Sequence, residues 1–363
     1  MYLDLNIPWP VDCFADIASG AKRSGAGKHN KRALGASAAT SAVSIVNNGE
    51  THDGLSELQR KQVKSILEDL THLGFTSIAF NHIVQTRYRG ETNPFGLLGA
   101  SVVQPPAAIS LPIFPHLSFT GPRLGRPRAN ACAEPPPQLQ QLQRLTVTMD
   151  DSSLTKGGHG FTSSQAAALA TWDLIAVQPT TDSAFSLACQ TLTELKPFSV
   201  DIISLELASS SRLPFAPKRS TLRTAIRTGA VFEVTYSAML AGASEESEKE
   251  RDRKKRNLVS NTRDLLRLTG GKGVIISSGA ATLLDIRGPK DVIAVASIFG
   301  MSPQAAKDSI SATARAVLTR AQARRSFRGV MEAPVLSAGC SIAVRASSPS
   351  AQTTETLPHS RTE

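Results

Sequence analysis

The sequence predicts an α/β protein built as a TIM-like (β/α) barrel, and three observations carry that prediction. Seven short apolar runs are separated by helical patterns or loops, with no run of strand after strand, which is the order of a parallel sheet. Setting aside low-complexity stretches at 18–54, 85–142 and 326–363 leaves 230 of the 363 residues, within the ~200–250 that such a barrel uses. No GxGxxG follows the first run, so an open doubly wound sheet lacks its dinucleotide fingerprint.

Residues 1–7 alternate as a short strand, with Asp4 and Asn6 framed by Tyr2, Leu3, Leu5 and Ile7. Residues 18–54 carry few large apolar groups, too few to offset the entropy of ordering them, and are expected to form a disordered insertion. Val63, Ile66, Leu67 and Leu70 then share one helical face that ends at Gly74. Residues 75–80 make the next strand, closing on Asn81 and His82. Proline and glutamine dominate 85–142, which reads as a long loop. Strands follow at 145–149, 173–177, 201–207 and 230–234, the first ending in Asp150 and Asp151 and the third carrying Glu206. Between them fall an alanine-rich helix near 165–170, a helix with Phe185, Ala188, Leu192 and Leu195 on its inner face, and a short helix capped by Ser220. A long helix over 245–269 stops at Gly270 and Gly271, which can take the left-handed conformation of a helix end. Val274, Ile275 and Ile276 form the seventh strand. The turn 285–290 then packs Arg287 and Lys290 beside Pro289, a helix-starting residue. A last helix opens with Ser302 and Pro303 and buries Ala306, Ile310, Thr313, Val317 and Ala321. The domain is thus expected to span 1–325, with a disordered tail at 326–363.

With 41% hydrophobic but only 5% aromatic residues, the core must be built from Val, Ile, Leu and Ala. The net charge is +10, and residues 201–325 hold 21 basic against 12 acidic residues while 1–200 are balanced at 16 against 15. A basic balance favours a polyanionic partner such as nucleic acid. The four cysteines, Cys13, Cys132, Cys189 and Cys340, are too scattered for a zinc knuckle or redox pair, which suits a reducing compartment. No signal-peptide pattern opens the chain and no apolar run approaches the ~20 residues of a membrane helix, so no membrane association is expected.

Two chemistries compete for the site. Strand ends present Asp4, Asn6, Asn81, His82, Asp150, Asp151, Glu206, Glu233, Ser277 and Ser278, and oxygen ligands with one histidine would suit a divalent metal and phosphoester hydrolysis. Against it, metal-dependent barrel phosphoesterases supply several histidines, and no nucleophile elbow, Walker loop or HExxH occurs; Gly25-Ala26-Gly27-Lys28 lacks the first glycine of a phosphate loop. The other chemistry is phosphate binding. Arg219, Arg223 and Arg227 recur at i, i+4, i+8 with Lys218 beside them, which sets three guanidinium groups on one helix face uninterrupted by acids. Arg287 and Lys290 beside a helix start are a second candidate for anions, with capping of neighbouring carbonyls as the competing role. Arg253-Lys254-Lys255-Arg256 resembles a nuclear-localisation patch, but Glu245–Lys249, Glu250–Lys254 and Asp252–Arg256 at i, i+4 favour a salt-bridged exposed helix.

The segments FTSIAFNHIV (75–84), RLTVTMDD (144–151), DLIAVQPTTDSAFSLAC (173–189), DIISLEL, LPFAPKRSTLRTAIRTGAVFEVTYS (213–237) and VIISSGA…LDIRGPKDVIAVASIFGM, taken in order, closely resemble the TIM-barrel protein subunit of ribonuclease P and RNase MRP. The resemblance covers most of 1–7 and 55–325. It implies a non-catalytic subunit of a ribonucleoprotein endonuclease that matures precursor tRNA and precursor rRNA. The particle RNA would hold the active site and its Mg, with no cofactor on the protein. Implied partners are ribonuclease P RNA, RNase MRP RNA, a small subunit of ferredoxin-like fold and other proteins of the particle, in nucleus and nucleolus. The family's barrel is related to PHP-type phosphoesterases, which carry His-x-His where this chain has Asp4-Leu5-Asn6. The insertions at 18–54 and 85–142 depart from the family pattern.

Overall fold

The computed structural model describes residues 1–10, 57–90, 139–155, 158–240 and 248–326. The expected insertion at 18–54, most of that at 85–142, and all of the tail but Ser326 lie outside the described residues. Seven strands form one sheet in chain order: β1 (Tyr2–Pro8), β2 (Phe75–Gln85), β3 (Gln140–Met149), β4 (Leu174–Pro179), β5 (Ile202–Ser204), β6 (Val231–Thr235) and β7 (Val274–Ser277). Every neighbouring pair is parallel. The helices are α1 (Glu57–His72), α2 (Ala166–Ala170), α3 (Asp182–Gln190), α4 (Arg219–Arg227), α5 (Ser237–Leu240), α6 (Glu248–Thr269), α7 (Pro289–Ile298), α8 (Pro303–Ser309) and α9 (Ala312–Arg325). The predicted (β/α) barrel is therefore the observed fold.

The sheet curls until β1 meets β7, and the seam closes without a regular ladder. Gly279 N–H donates to Asn6 O at 2.9 Å, and Ser278 N–H to the Asp4 carboxylate at 3.1 Å. Side chains alternate across the wall, as strand geometry requires. Leu3, Leu5, Ala79, Leu142, Leu174, Ala176, Ile202, Val231 and Ile275 meet in the lumen. A one-residue bulge in β1 between Asp4 and Ile7 resets that alternation, so that Ile7 packs outside with Phe80 and α1.

Helix α9 stops one end of the lumen, adding Ala314, Val317 and Ala321 to the same cluster. Three arginines of α9, paired with Asp201 and Asp173, hold it there. The Arg324 side chain, wholly buried, reaches Asp201 at 3.2 Å and donates to the carbonyls of Trp172 and Asp173. Arg320 lies 3.5 Å from Asp201 and donates to the carbonyls of Thr193, Val200 and Thr228. Arg325 pairs with Asp173 at 2.7 Å.

Several boundaries differ from the sequence reading, each for a tertiary reason. Strand β3 starts at Gln140 rather than 145, because Gln140–Gln143 pair in register with Ser77–Phe80 and Leu142 enters the lumen. β2 runs on to Gln85 for the same reason. α3 ends at Gln190, leaving Leu195 half exposed at 51% instead of buried. The cap of α4 is Lys218, not Ser220, which is already helical. The final helix is two helices: the chain breaks at Ile310, whose carbonyl leaves the helical pattern to accept the Leu3 N–H at 2.9 Å. Gly270 and Gly271 do take φ of +67° and +73° and end α6 as expected.

Candidate functional site

Helix α4 owes its position to Thr221, Leu222 and Ala225, which are buried against the barrel wall. The opposite face is Arg219, Arg223 and Arg227, all exposed, with exposed Lys218 at the cap. No described carboxylate pairs with any of the four cations. The Lys218 side chain offers no acceptor to the first-turn amides, and no acid stands in that turn. Two positive charges at the positive end of a helix dipole are unfavourable on their own. An anion docking there relieves both the charge crowding and the unsatisfied N–H groups.

The second candidate divides. The Arg287 guanidinium donates to the carbonyls of Leu284 at 2.7 Å and Ile286 at 2.8 Å, and its backbone N–H donates to the Tyr236 hydroxyl. Arg287 thus fills the carbonyl-capping role that its place beside a helix start offered as the alternative to anion binding. Lys290 is exposed on the first turn of α7. Helix α6 stands between α4 and α7, packing on α4 and donating from Arg263 to Ile298 O at 3.1 Å, so the two candidate patches are separate surfaces. Along α6 the expected Asp252–Arg256 pair is replaced by Asp252–Lys255 at 3.8 Å, while Glu245 lies outside the described residues. Arg253, Lys255 and Arg256 are exposed.

Inside the barrel, the lumen above the apolar layer is filled by a hydrogen-bonded polar set. Arg144, fully buried, grips Glu233 with two parallel bonds of 2.5 and 2.6 Å and donates to Leu5 O at 2.8 Å and Thr146 Oγ1 at 3.1 Å. Thr146 donates to Asn81, and Asn81 donates to Asn6; Ser277 donates to Glu233 at 2.7 Å. Burial works against ionisation of Glu233, but the Arg144 guanidinium and its hydrogen bonds outweigh it and hold the carboxyl below its usual range. Asn6, from the Asp4-Leu5-Asn6 segment, is thus already engaged. A guanidinium bidentate on the only carboxylate of this set takes up the charge that a divalent ion would need. No three His, Cys, Asp or Glu side chains of the described residues come together as a metal site. The donor set does not fit a metal.

The phosphoesterase alternative fails on the other residues as well. His82 lies outside the lumen, its ring 5.3 Å from those of both Trp9 and Trp172, and burial pushes its pKa down to about 3, so it stays neutral at physiological pH. Glu206 is exposed, beyond the end of the three-residue β5. Asp150 caps the 3-10 turn that follows β3.

Asp4 lies in the seam rather than the lumen. Its carboxylate accepts the N–H groups of Asn6 at 3.3 Å and Ser278 at 3.1 Å, yet burial raises its pKa to about 6. The folded state therefore binds this proton more tightly than the unfolded chain. The associated stability is complete below about pH 3.8 and is lost as pH rises through 6. Asp4→Asn, which cannot ionise, is expected to gain on the wild type by roughly 2–3 kcal/mol between pH 4 and pH 7.5, the scale set by about 1.4 kcal/mol per pKa unit. Urea unfolding of both proteins at the two pH values reads this difference, and a pH-independent difference would contradict it.

Sequence reasoning missed Arg144. The available signal was a lone arginine on a buried strand, matched by a lone glutamate on another. It also left Arg87 and Arg89 inside a presumed loop.

Comparison with known proteins adds four findings. A family model described as RNase P subunit p30 matches residues 1–326. The Mus musculus ribonuclease P protein subunit p30 is 28% identical over 271 residues, covering 75% of this chain and 85% of the mouse protein. The Saccharomyces cerevisiae ribonuclease P/MRP protein subunit RPP1 is 23% identical over 324 residues, covering 89% and 82%. Among solved structures, an archaeal ribonuclease P with mature tRNA contains a chain similar over 74% of this one and 94% of its own, at 16% identity and a TM-score of 0.47.

Proposed function

Because the chain belongs to the RNase P subunit p30 family, it is a protein subunit of the ribonuclease P/RNase MRP class, and we propose that it acts there as a non-catalytic, RNA-binding scaffold. The observation that carries the RNA-binding part is the face of α4, where Arg219, Arg223 and Arg227 are exposed together with no ion pair to a described residue. Charge without internal compensation suits the phosphate backbone, whose affinity comes from displaced counterions and not from shape. The buried Arg144–Glu233 pair supports the non-catalytic part, since it spends the lumen's charges on each other.

In this reading the particle RNA performs the cleavage and holds the Mg, and the protein binds no cofactor of its own. Its partners are ribonuclease P RNA, RNase MRP RNA, a small ferredoxin-like subunit and further proteins of the particle, and its place is the nucleus and nucleolus. Lys290 is a further, isolated RNA contact, apart from the α4 face. Purification of the full chain from its own cells at mild salt, followed by sequencing of the co-purified RNA, tests this. The expected result is one or two structured RNAs in a fraction that cleaves precursor tRNA or precursor rRNA. Recovery without any specific RNA would overturn the proposal.

A further inference from the structure

Strands β2 and β3 stay paired along nine residues, and the chain leaves β2 through a strained turn. Thr86 has φ +63°, the sole positive value at a non-glycine among the described residues. A β-branched side chain in that region is a genuine outlier. The conformation is fixed by its surroundings. Thr86 N–H donates to Thr148 O at 3.0 Å, and Thr86 O accepts the Ser153 hydroxyl at 2.8 Å. Two residues on, Tyr88 is buried; its N–H donates to His159 O at 3.2 Å and its hydroxyl accepts Trp172 Nε1 at 3.1 Å. Gly90 N–H donates to the Gln165 side chain at 3.1 Å. Gly160, at φ +87°, passes so close that a Cβ there would stand 2.3 Å from the Tyr88 carbonyl oxygen.

Backbone strain that the surroundings over-determine gathers at functional sites. Here it holds two arginines, Arg87 and Arg89, exposed on either side of buried Tyr88. The Arg87 guanidinium makes no bond to a described residue.

We propose that Thr86–Gly90 is a second RNA-phosphate contact, already set in the free protein, with Arg87 as its leading cation. The proposal rests on the RNA-scaffold reading above and extends it to a different part of the barrel. The segment is bonded to β3 and to the connection between β3 and β4, whereas α4 follows β5, so the two patches are distinct and engage different stretches of RNA. A segment held rigid beforehand loses little conformational freedom on contact.

The test measures binding of the full chain to its co-purified RNA across a range of KCl concentrations. Arg87→Ala is expected to weaken binding ~5-fold near physiological salt and to reduce the slope of log K against log salt by about one. Arg87→Lys should keep the slope. Thr86→Gly, which relaxes the turn, should weaken binding with the slope kept. If Arg87→Ala matches the wild type in affinity and slope while removal of the α4 arginines weakens binding, this proposal is overturned and the scaffold reading stands. If neither variant changes binding, both fall. Normal RNA binding with loss of a protein subunit from the particle would assign the segment to a protein contact, and equally overturn it.

Discussion

Replacing Arg219, Arg223 and Arg227 together with alanine is expected to lower RNA affinity roughly 100-fold near physiological salt, since each phosphate contact contributes about fivefold through counterion release. The salt slope should fall by two to three for the same reason. The helix itself should survive. Its buried residues are Thr221, Leu222 and Ala225, none of which changes, and alanine is the best helix former. Removing Arg219 also takes a positive charge off the N-terminal end of the dipole. Circular dichroism and the thermal midpoint should therefore match the wild type while the binding isotherm moves. An unchanged isotherm at low salt would remove α4 from the RNA surface.

Arg144→Ala should have the largest effect on stability. The pair it breaks has both side chains wholly buried, and removing one partner of such a pair costs roughly 3–5 kcal/mol because the other charge is left uncompensated. Set against a total stability of about 5–15 kcal/mol, that is a large share. The loss extends past Glu233, because Arg144 also satisfies the Leu5 carbonyl and Thr146. Replacing both partners, as Arg144→Met with Glu233→Leu, should recover much of the loss, since an apolar pair leaves no buried charge. Equilibrium urea denaturation of the single and double variants decides this. A single variant within about 1 kcal/mol of wild type would mean that the lumen admits water or rearranges.

Much of the fold was legible because it depends on local pattern. The seven apolar runs, the stop at Gly270–Gly271, the Ser302–Pro303 start and the i, i+4, i+8 arginines are all short-range features, and each stands where the periodicity puts it. The misreadings fell where long-range pairing overrides local composition. Gln140–Gln143 reads as loop by composition, yet parallel registration on β2 makes it strand. Ile310 reads as mid-helix, yet a hydrogen bond to Leu3 breaks the helix there. For Arg287 the sequence leaves anion binding and carbonyl capping side by side, and only the closing of its turn brings the Leu284 and Ile286 carbonyls to the guanidinium.

The sequence by itself determined the class of fold, the all-basic face of α4 and the family resemblance, because periodicity, charge spacing and ordered motifs are properties of the chain. The tertiary structure alone decided what fills the barrel. Arg144 and Glu233 are 89 residues apart, and nothing local announces that they neutralise each other in the lumen. It also decided that His82 faces outward between two tryptophans and that Thr86 is forced into a left-handed turn that displays Arg87. These outcomes depend on which strands become neighbours when the sheet closes, and closure is a property of the whole ring.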